Sequence, residues 1–181
     1  IQRTYDLGLW SPLFDAWKFQ AEDYKKHFSL PGQDFEKNWI VWFLIHCQES
    51  PEKLAELGLH WKLPKKLIQK MVYCLQSLTQ LRNIQNVEVV DLAIFLGKPN
   101  GRLAVEIYQA LHQGRIKEMF FEKIKEAEAF FQNGQLPEIL VNGDDLIQFG
   151  VKPGPEIAKQ LKRLYRIQLL EKISHKEDLM K

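Results

Sequence analysis

Apolar residues recur at three- and four-residue spacing through most of the chain, and no stretch alternates apolar and polar residues as a strand or hairpin would. The clearest case is the segment after Pro64, whose predicted core positions are Leu67, Met71, Cys74, Leu75, Leu78 and Leu81. The pattern predicts an all-α fold, an irregular array of about eight to ten helices with no substantial sheet.

Capping residues, prolines and glycines mark where these helices start and stop. In the first half we predict helices at residues 11–28, 34–48, 51–57 and 64–82. Asp34 caps the second, which is apolar nearly all round, as is typical of a buried central helix. Ser50 and Pro51 start the third helix, and Gly58 ends it.

The second half begins with residues 87–95, which predict a helix, although their β-branched content leaves a short strand open. Residues 97–101 have the glycine and proline content of a loop, and helices are predicted over 103–112 and 116–131. We place a soft boundary at this loop. Residues 1–98 would form a helical body-like subdomain and residues 99–181 a tail-like one, with a single domain as the alternative.

Residues 136–166 contain two helix starts separated by a turn rich in glycine and proline. Asn142 stands at an N-cap position, with two aspartates in the first turn, where carboxylates meet the positive end of a helix. Gly150 ends this short helix, Gly154 lies in the turn, and Pro155 takes the first position of the next helix, where its missing N–H is not needed. Amide groups at that helix start make an anion the natural partner.

Positive residues surround this turn at mostly three- and four-residue spacing. They are Lys152, Lys159, Lys162, Arg163 and Arg166, and the opposite, mainly apolar face consists of Ile157, Leu161, Leu164 and Gln168. Together with the backbone of Gly154, the positive face predicts a surface that binds phosphates.

A second basic segment lies at residues 61–82, where all five charged residues are positive. Residues 151–181 carry eight Lys or Arg against four acids, in a chain whose net charge is only +2. Exposed helices usually mix signs, so faces of one sign indicate a polyanionic partner. The second predicted phosphate contact comprises Lys62, Lys65, Lys66 and Lys70, and Trp61 beside them is predicted to stack on a nucleotide.

The turn region resembles a known family. The residues that carry the resemblance are Gly143, Asp145, Leu146, Gly150, Lys152, Pro153, Gly154 and Pro155, with Ile157 and Leu161 after them. They are similar to the region C-terminal to the catalytic head in bacterial CCA-adding enzymes, the tRNA nucleotidyltransferases, and in related poly(A) polymerases. These motifs cover roughly the last 45 residues, while residues 7–14 and 57–82 are compatible with the helical body of those enzymes.

The resemblance implies that this chain binds the tRNA phosphate backbone, independently of sequence, and holds the elbow and acceptor arm. An N-terminal head would add nucleotides to the 3′ end, using a Gly-Ser element and an Asp-x-Asp pair that holds Mg²⁺. The sequence has no such element, and the adjacent Asp144 and Asp145 would point about 100° apart on a helix. Because the chain starts at Ile1 without a methionine, we expect a fragment with no catalytic residue, metal or cofactor of its own.

Composition excludes several other classes of protein. The longest apolar run, residues 39–45, is far shorter than the ~20 residues that cross a bilayer. Two cysteines, Cys47 and Cys74, are too few for a disulfide framework and favour the cytoplasm. The five histidines lack metal-ligand spacing, and neither a serine nucleophile triad nor a phosphate-binding loop is present.

Two alternatives remain open. Residues 146–158 are also similar to a helix-hairpin-helix, a motif that binds duplex DNA without reading its sequence, although the loop here is longer. An all-helical scaffold for protein interaction would bind neither nucleic acid.

Overall fold

Helix follows helix through the computed structural model, which describes residues 35–46, 50–112 and 114–179. In chain order the elements are α1 (Phe35–His46), α2 (Pro51–His60), α3 (Lys65–Arg82), a 3-10 turn (Ile84–Asn86), α4 (Val89–Gly97), α5 (Gly101–Leu111), α6 (Glu118–Glu128), α7 (Gly143–Gln148), α8 (Pro155–Glu171) and α9 (Lys176–Leu179). Extended pairing within these residues is limited to an isolated bridge between Gln132 and Gln135. The all-α prediction is confirmed. The predicted helix at 11–28 and the Asp34 cap lie outside the described residues.

The chain forms two compact units, one of residues 1–79 and 103–114 and the other of residues 80–102 and 115–181. The backbone therefore passes from one unit to the other three times. The boundary proposed between residues 98 and 99 stays a prediction. Among the described residues, no helix combines the length and the apolar character needed to cross a bilayer.

In the first unit, apolar side chains of α1, α3 and α5 are buried, with Phe43, Met71 and Ile107 almost fully so. Gly58 lies inside α2, so the prediction that it ends this helix is wrong. A Cβ added at Gly58 would come 2.7 Å from Cγ1 of Ile68, which is too close. The absence of a side chain at Gly58 therefore allows α2 to pack closely against α3, and the helix continues through this position.

In the second unit, α4 supplies much of the core and packs against α6. Val90, Leu92 and Ala93 on α4 are buried, as are Phe120 and Ala127 on α6. The segment forms a short α-helix with several buried side chains, and not the short strand that its β-branched residues also allowed. The helical prediction for this segment is confirmed.

The position of α8 is fixed by its apolar face and by one buried amide. A small core of Val141, Leu146 and Leu179 is packed by Leu140, Val151, Ile157, Leu161, Leu164, Ile167 and Ile173. Gln168 is buried, its Oε1 accepts the Leu140 N–H at 3.2 Å, and its Nε2 donates to the Glu138 carbonyl at 2.7 Å. Because both polar atoms of the amide are satisfied, α8 is held in one rotation about its axis.

Candidate nucleic-acid interface

The N-terminus of α7 is closed by a reciprocal cap. Asn142 Oδ1 accepts the Asp145 N–H at 3.1 Å, and Asp145 Oδ2 accepts the Asn142 N–H at 2.9 Å. Lys176 also pairs with Asp145. The hydrogen bond from the Asn142 N–H, and after it the contact with Lys176, lower the pKa of the Asp145 carboxyl. The predicted cap at Asn142 is confirmed. The ion pair between Lys176 and Asp145 joins α9 to the start of α7.

The C-terminus of α7 leads directly into the glycine turn. The Val151 N–H donates to the Leu146 carbonyl and the Gly150 N–H to the Ile147 carbonyl, each at 2.9 Å. Gly150 has φ 89°, which is the left-handed conformation that this type of helix end requires. Gly154, at φ 155°, precedes Pro155, the first residue of α8. No heavy atom lies within 4 Å of a Cβ built at either glycine, so the turn stands open to solvent.

Four of the five predicted cations near the turn are exposed. We call Lys152, Lys159, Lys162 and Arg163 the α8 basic surface. The side chain of Lys159 is 80% exposed, and its one acidic neighbour, Glu156, lies 3.9 Å away and accepts a hydrogen bond from Gln160. The other three have no carboxylate within ion-pair distance in the described part of the chain. This surface can therefore take a row of anions without first breaking strong ion pairs.

Arg166 departs from the predicted exposed face. Its guanidinium donates to Asp91 at 2.7 Å and also to Glu88, which connects α8 to the start of α4. Its side chain is only 27% exposed. Hydrogen bonding to Glu88 raises the pKa of Arg166 above its already high usual value. Because two carboxylates already pair with it, the Arg166 guanidinium is poorly placed to bind a phosphate. We interpret it as a structural residue that holds α8 against α4.

The second predicted cluster belongs to the first unit and is less regular than its spacing indicates. Lys65 and Lys66 are exposed at the start of α3. Lys62 is exposed but precedes the helix, in a turn with φ 53°, so it does not stack in line with the helical lysines. Lys70, which is part of the predicted phosphate contact, is half-buried and pairs with Glu36 of α1.

Trp61 lies at the C-terminal end of α2, beside these lysines in sequence. Its ring meets Phe43 edge to face, with the centroids 5.1 Å apart, and the residue is partly exposed. Part of the indole ring therefore packs against the core of the first unit. Stacking on a nucleotide stays a prediction for this residue.

The described residues contain no group of three or more His, Cys, Asp or Glu placed to hold a metal ion. Asp145 is engaged by Asn142 and Lys176, while Asp144 is exposed. Burial raises the pKa of the Cys74 thiol to about 12, which makes it an unreactive core residue.

Sequence reasoning did not single out Phe149, which is 66% exposed at the end of α7. It stands three residues after the buried Leu146, a spacing typical of a second core position. The helix ends at Gln148, with Phe149 as its C-cap, and Gly150 follows in the left-handed conformation. The glycine that follows the helix is therefore the sequence signal for an exposed ring, because the apolar spacing alone predicts a buried one.

Residues 33–181 match the family model for tRNA nucleotidyltransferase domain 2. The chain belongs to this family. The resemblance carried by the turn residues is confirmed, and the match extends far beyond them to most of the chain. The family acts on tRNA.

The chain is also similar to the CCA-adding enzyme of Streptococcus mutans, with 26% identity over 164 residues. The similarity covers 90% of this chain but 38% of that enzyme. No solved structure matches the chain significantly. This chain spans less than half the length of its curated relative. The activity of that whole enzyme can therefore be carried over to this chain only as a proposal.

Proposed function

We propose that this chain binds tRNA through its phosphate backbone and positions it for nucleotide addition by a separate catalytic head. The observation that carries the proposal is the α8 basic surface, which stands exposed on a helix whose opposite face is fixed in a core. Lys62, Lys65 and Lys66 in the first unit provide a further contact. The family to which the chain belongs supplies the identity of the polyanion.

The geometry of α8 suits a continuous backbone better than a single anion. Lys159, Lys162 and Arg163 are three and four residues apart, so they share one face of the helix. Lys152 approaches from the turn on the other side of Gly154, whose open backbone leaves room for a phosphate group. Binding of this kind releases counterions and reads the shape of the RNA, through its 2′-hydroxyls and A-form geometry, rather than its sequence.

The reaction that tRNA positioning serves would occur in the head, where carboxylate-bound Mg²⁺ would orient the nucleotide phosphates. The residues described in this chain would contribute by holding the 3′ end at a fixed distance from that centre. Their effect on catalysis would therefore be one of proximity and orientation, without proton transfer or metal binding.

The test is a titration of the full chain with tRNA and with duplex DNA between about 50 and 200 mM salt. The four cations of the α8 basic surface alone predict roughly a 100-fold loss of tRNA affinity over that range. The double variant Lys162→Ala/Arg163→Ala should bind every tRNA more weakly and with a salt slope shallower by about 1.5, while its unfolding transition is unchanged.

A matched control removes two exposed lysines, Lys117 at the N-cap of α6 and Lys125 in its last turn, in Lys117→Ala/Lys125→Ala, which changes the net charge equally. Equal loss of affinity in both double variants would mean that only overall charge attracts the RNA, and the proposal would fail. Preference for duplex DNA at equal salt would favour a helix-hairpin-helix function instead. Absence of binding to either nucleic acid would favour a protein-interaction scaffold.

A further inference from the structure

Phe149 is the most exposed aromatic side chain in the described residues. Its backbone is nevertheless fixed, because its N–H donates to the Asp145 carbonyl at 3.1 Å and the Gly150 turn follows immediately. The ring takes part in no ring contact within the part of the chain that is described. Because the backbone at Phe149 is already fixed, only the side-chain torsions lose freedom when a flat partner stacks on the ring.

Positive charge lies close to this ring. Phe149 and Lys152 are three residues apart, so their Cα atoms are at most about 11 Å from each other. Lys152 is exposed, and after it the chain enters the start of α8 with its row of cations. Along the chain, the ring therefore directly precedes the residues of the α8 basic surface.

The surroundings of the ring fit a base better than a protein surface. The exposed apolar residue of α7 itself is Ile147. Phe149, the C-cap of α7, is two positions further along, a spacing that does not bring two side chains face to face at a helix end. A protein partner would bury a wider apolar area. Single-stranded nucleic acids are bound by this combination of an isolated aromatic ring and neighbouring cations.

We propose that Phe149 is a stacking platform for an unpaired base of the RNA bound along the α8 basic surface. This inference rests on the proposed function. Each base presents a π face, so stacking would add affinity without selecting a sequence. It requires a base with one face that no neighbouring base covers, as in a loop or a single-stranded end. The ring would thereby distinguish folded tRNA from a continuous duplex.

The experiment measures binding of the full chain to tRNA and to a blunt RNA duplex of similar length, at several salt concentrations. Phe149→Ala should weaken tRNA binding about 5-fold or more, the lower end of what loss of one stacked base causes. The salt slope should not change, because the ring releases no counterions. Duplex binding should stay as in the unaltered chain.

Three further variants define the contact. Phe149→Tyr should bind tRNA normally, since it keeps the aromatic face, whereas Phe149→Leu should lose most of the affinity that Phe149→Ala loses. Ile147→Ala is the matched control for removal of an exposed apolar side chain and should leave affinity unchanged. Unfolding midpoints should be the same for the Phe149 variants, since the ring is largely in solvent already.

Normal tRNA binding by Phe149→Ala or by Phe149→Leu would overturn the stacking role, as would equal losses on tRNA and duplex or an equal loss in Ile147→Ala. A change in oligomeric state without a change in RNA affinity would assign the ring to a protein contact instead. If the unaltered chain shows no salt-dependent binding to tRNA, both proposals fall. Salt-dependent binding that Phe149→Ala leaves intact refutes only the stacking.

Discussion

Replacing Arg166 by alanine separates the two roles that a positive residue on α8 can have. The sequence predicts that Arg166 binds phosphate together with Lys162 and Arg163. In the structure its guanidinium instead bridges Glu88 and Asp91 at the start of α4. We therefore expect Arg166→Ala to lower the stability of the chain and to leave the tRNA salt slope unchanged.

The size of the effect follows from the exposure of the two partners. The Asp91 side chain is 26% exposed, and its Oδ1 is buried without a hydrogen-bond partner in the described structure. Losing the bond to its Oδ2 would leave a partly buried carboxylate with no donor, which costs about 1.5 to 3 kcal/mol when burial is complete. Glu88 is 66% exposed, so its pair adds little. Partial exposure of Asp91 lowers the sum to about 1–2 kcal/mol of unfolding free energy.

Urea unfolding followed by circular dichroism measures this change, with the slope m expected to stay constant. A double-mutant cycle with Asp91→Ala should show a favourable coupling, because the two side chains act as a pair. The reasoning would be refuted if Arg166→Ala unfolded like the unaltered chain yet bound tRNA as weakly as Lys162→Ala. That result would return Arg166 to the phosphate contact.

Two further predictions concern the cap of α7. Asn142→Ala should destabilise the chain by about 1 kcal/mol in urea unfolding, because the Asp145 N–H loses its acceptor, and Asn142→Ser should restore most of the loss. The pKa of Asp145 is lowered by the Asn142 N–H and by Lys176, so the stability it contributes is present above the unfolded value of about 4 and is lost as pH falls through the lower, folded value. Thermal unfolding between pH 6 and 3 should show a smaller decrease in midpoint for Asp145→Asn than for the unaltered chain, and equal decreases would contradict this assignment.

Local signals in the sequence were sufficient for much of the fold. Asn142, Gly150 and Pro155 act on backbone groups within a few residues of themselves, so their roles as cap, helix end and helix start follow from chemistry that the sequence displays. The apolar face of α8 was predictable for the same reason. Gly58 shows the limit of this approach, because its small size serves a contact with Ile68 on another helix.

Long-range ion pairs explain why the candidate site was only partly predictable. Arg166 finds its partners 75 and 78 residues earlier, and Lys70 pairs with Glu36 across 34 residues. No local pattern shows which lysine or arginine of a positive face meets an acid from elsewhere in the fold. Charge counting along the sequence therefore gives an upper limit to the number of cations that are available to a ligand.

The sequence and the structure predict different salt slopes for the binding of RNA to α8. Five cations around the turn predict a slope set by five phosphates, whereas the structure leaves four exposed and commits Arg166 to α4. One contact is worth roughly 0.7 to 0.9 in the slope, which is measurable over a fourfold range of salt. Because Arg166 lies one turn beyond Lys162 on the same helix, its pairing also ends the α8 basic surface at Arg163. An RNA backbone would thus contact the first turns of α8 and the glycine turn, which follows Phe149 directly in the chain.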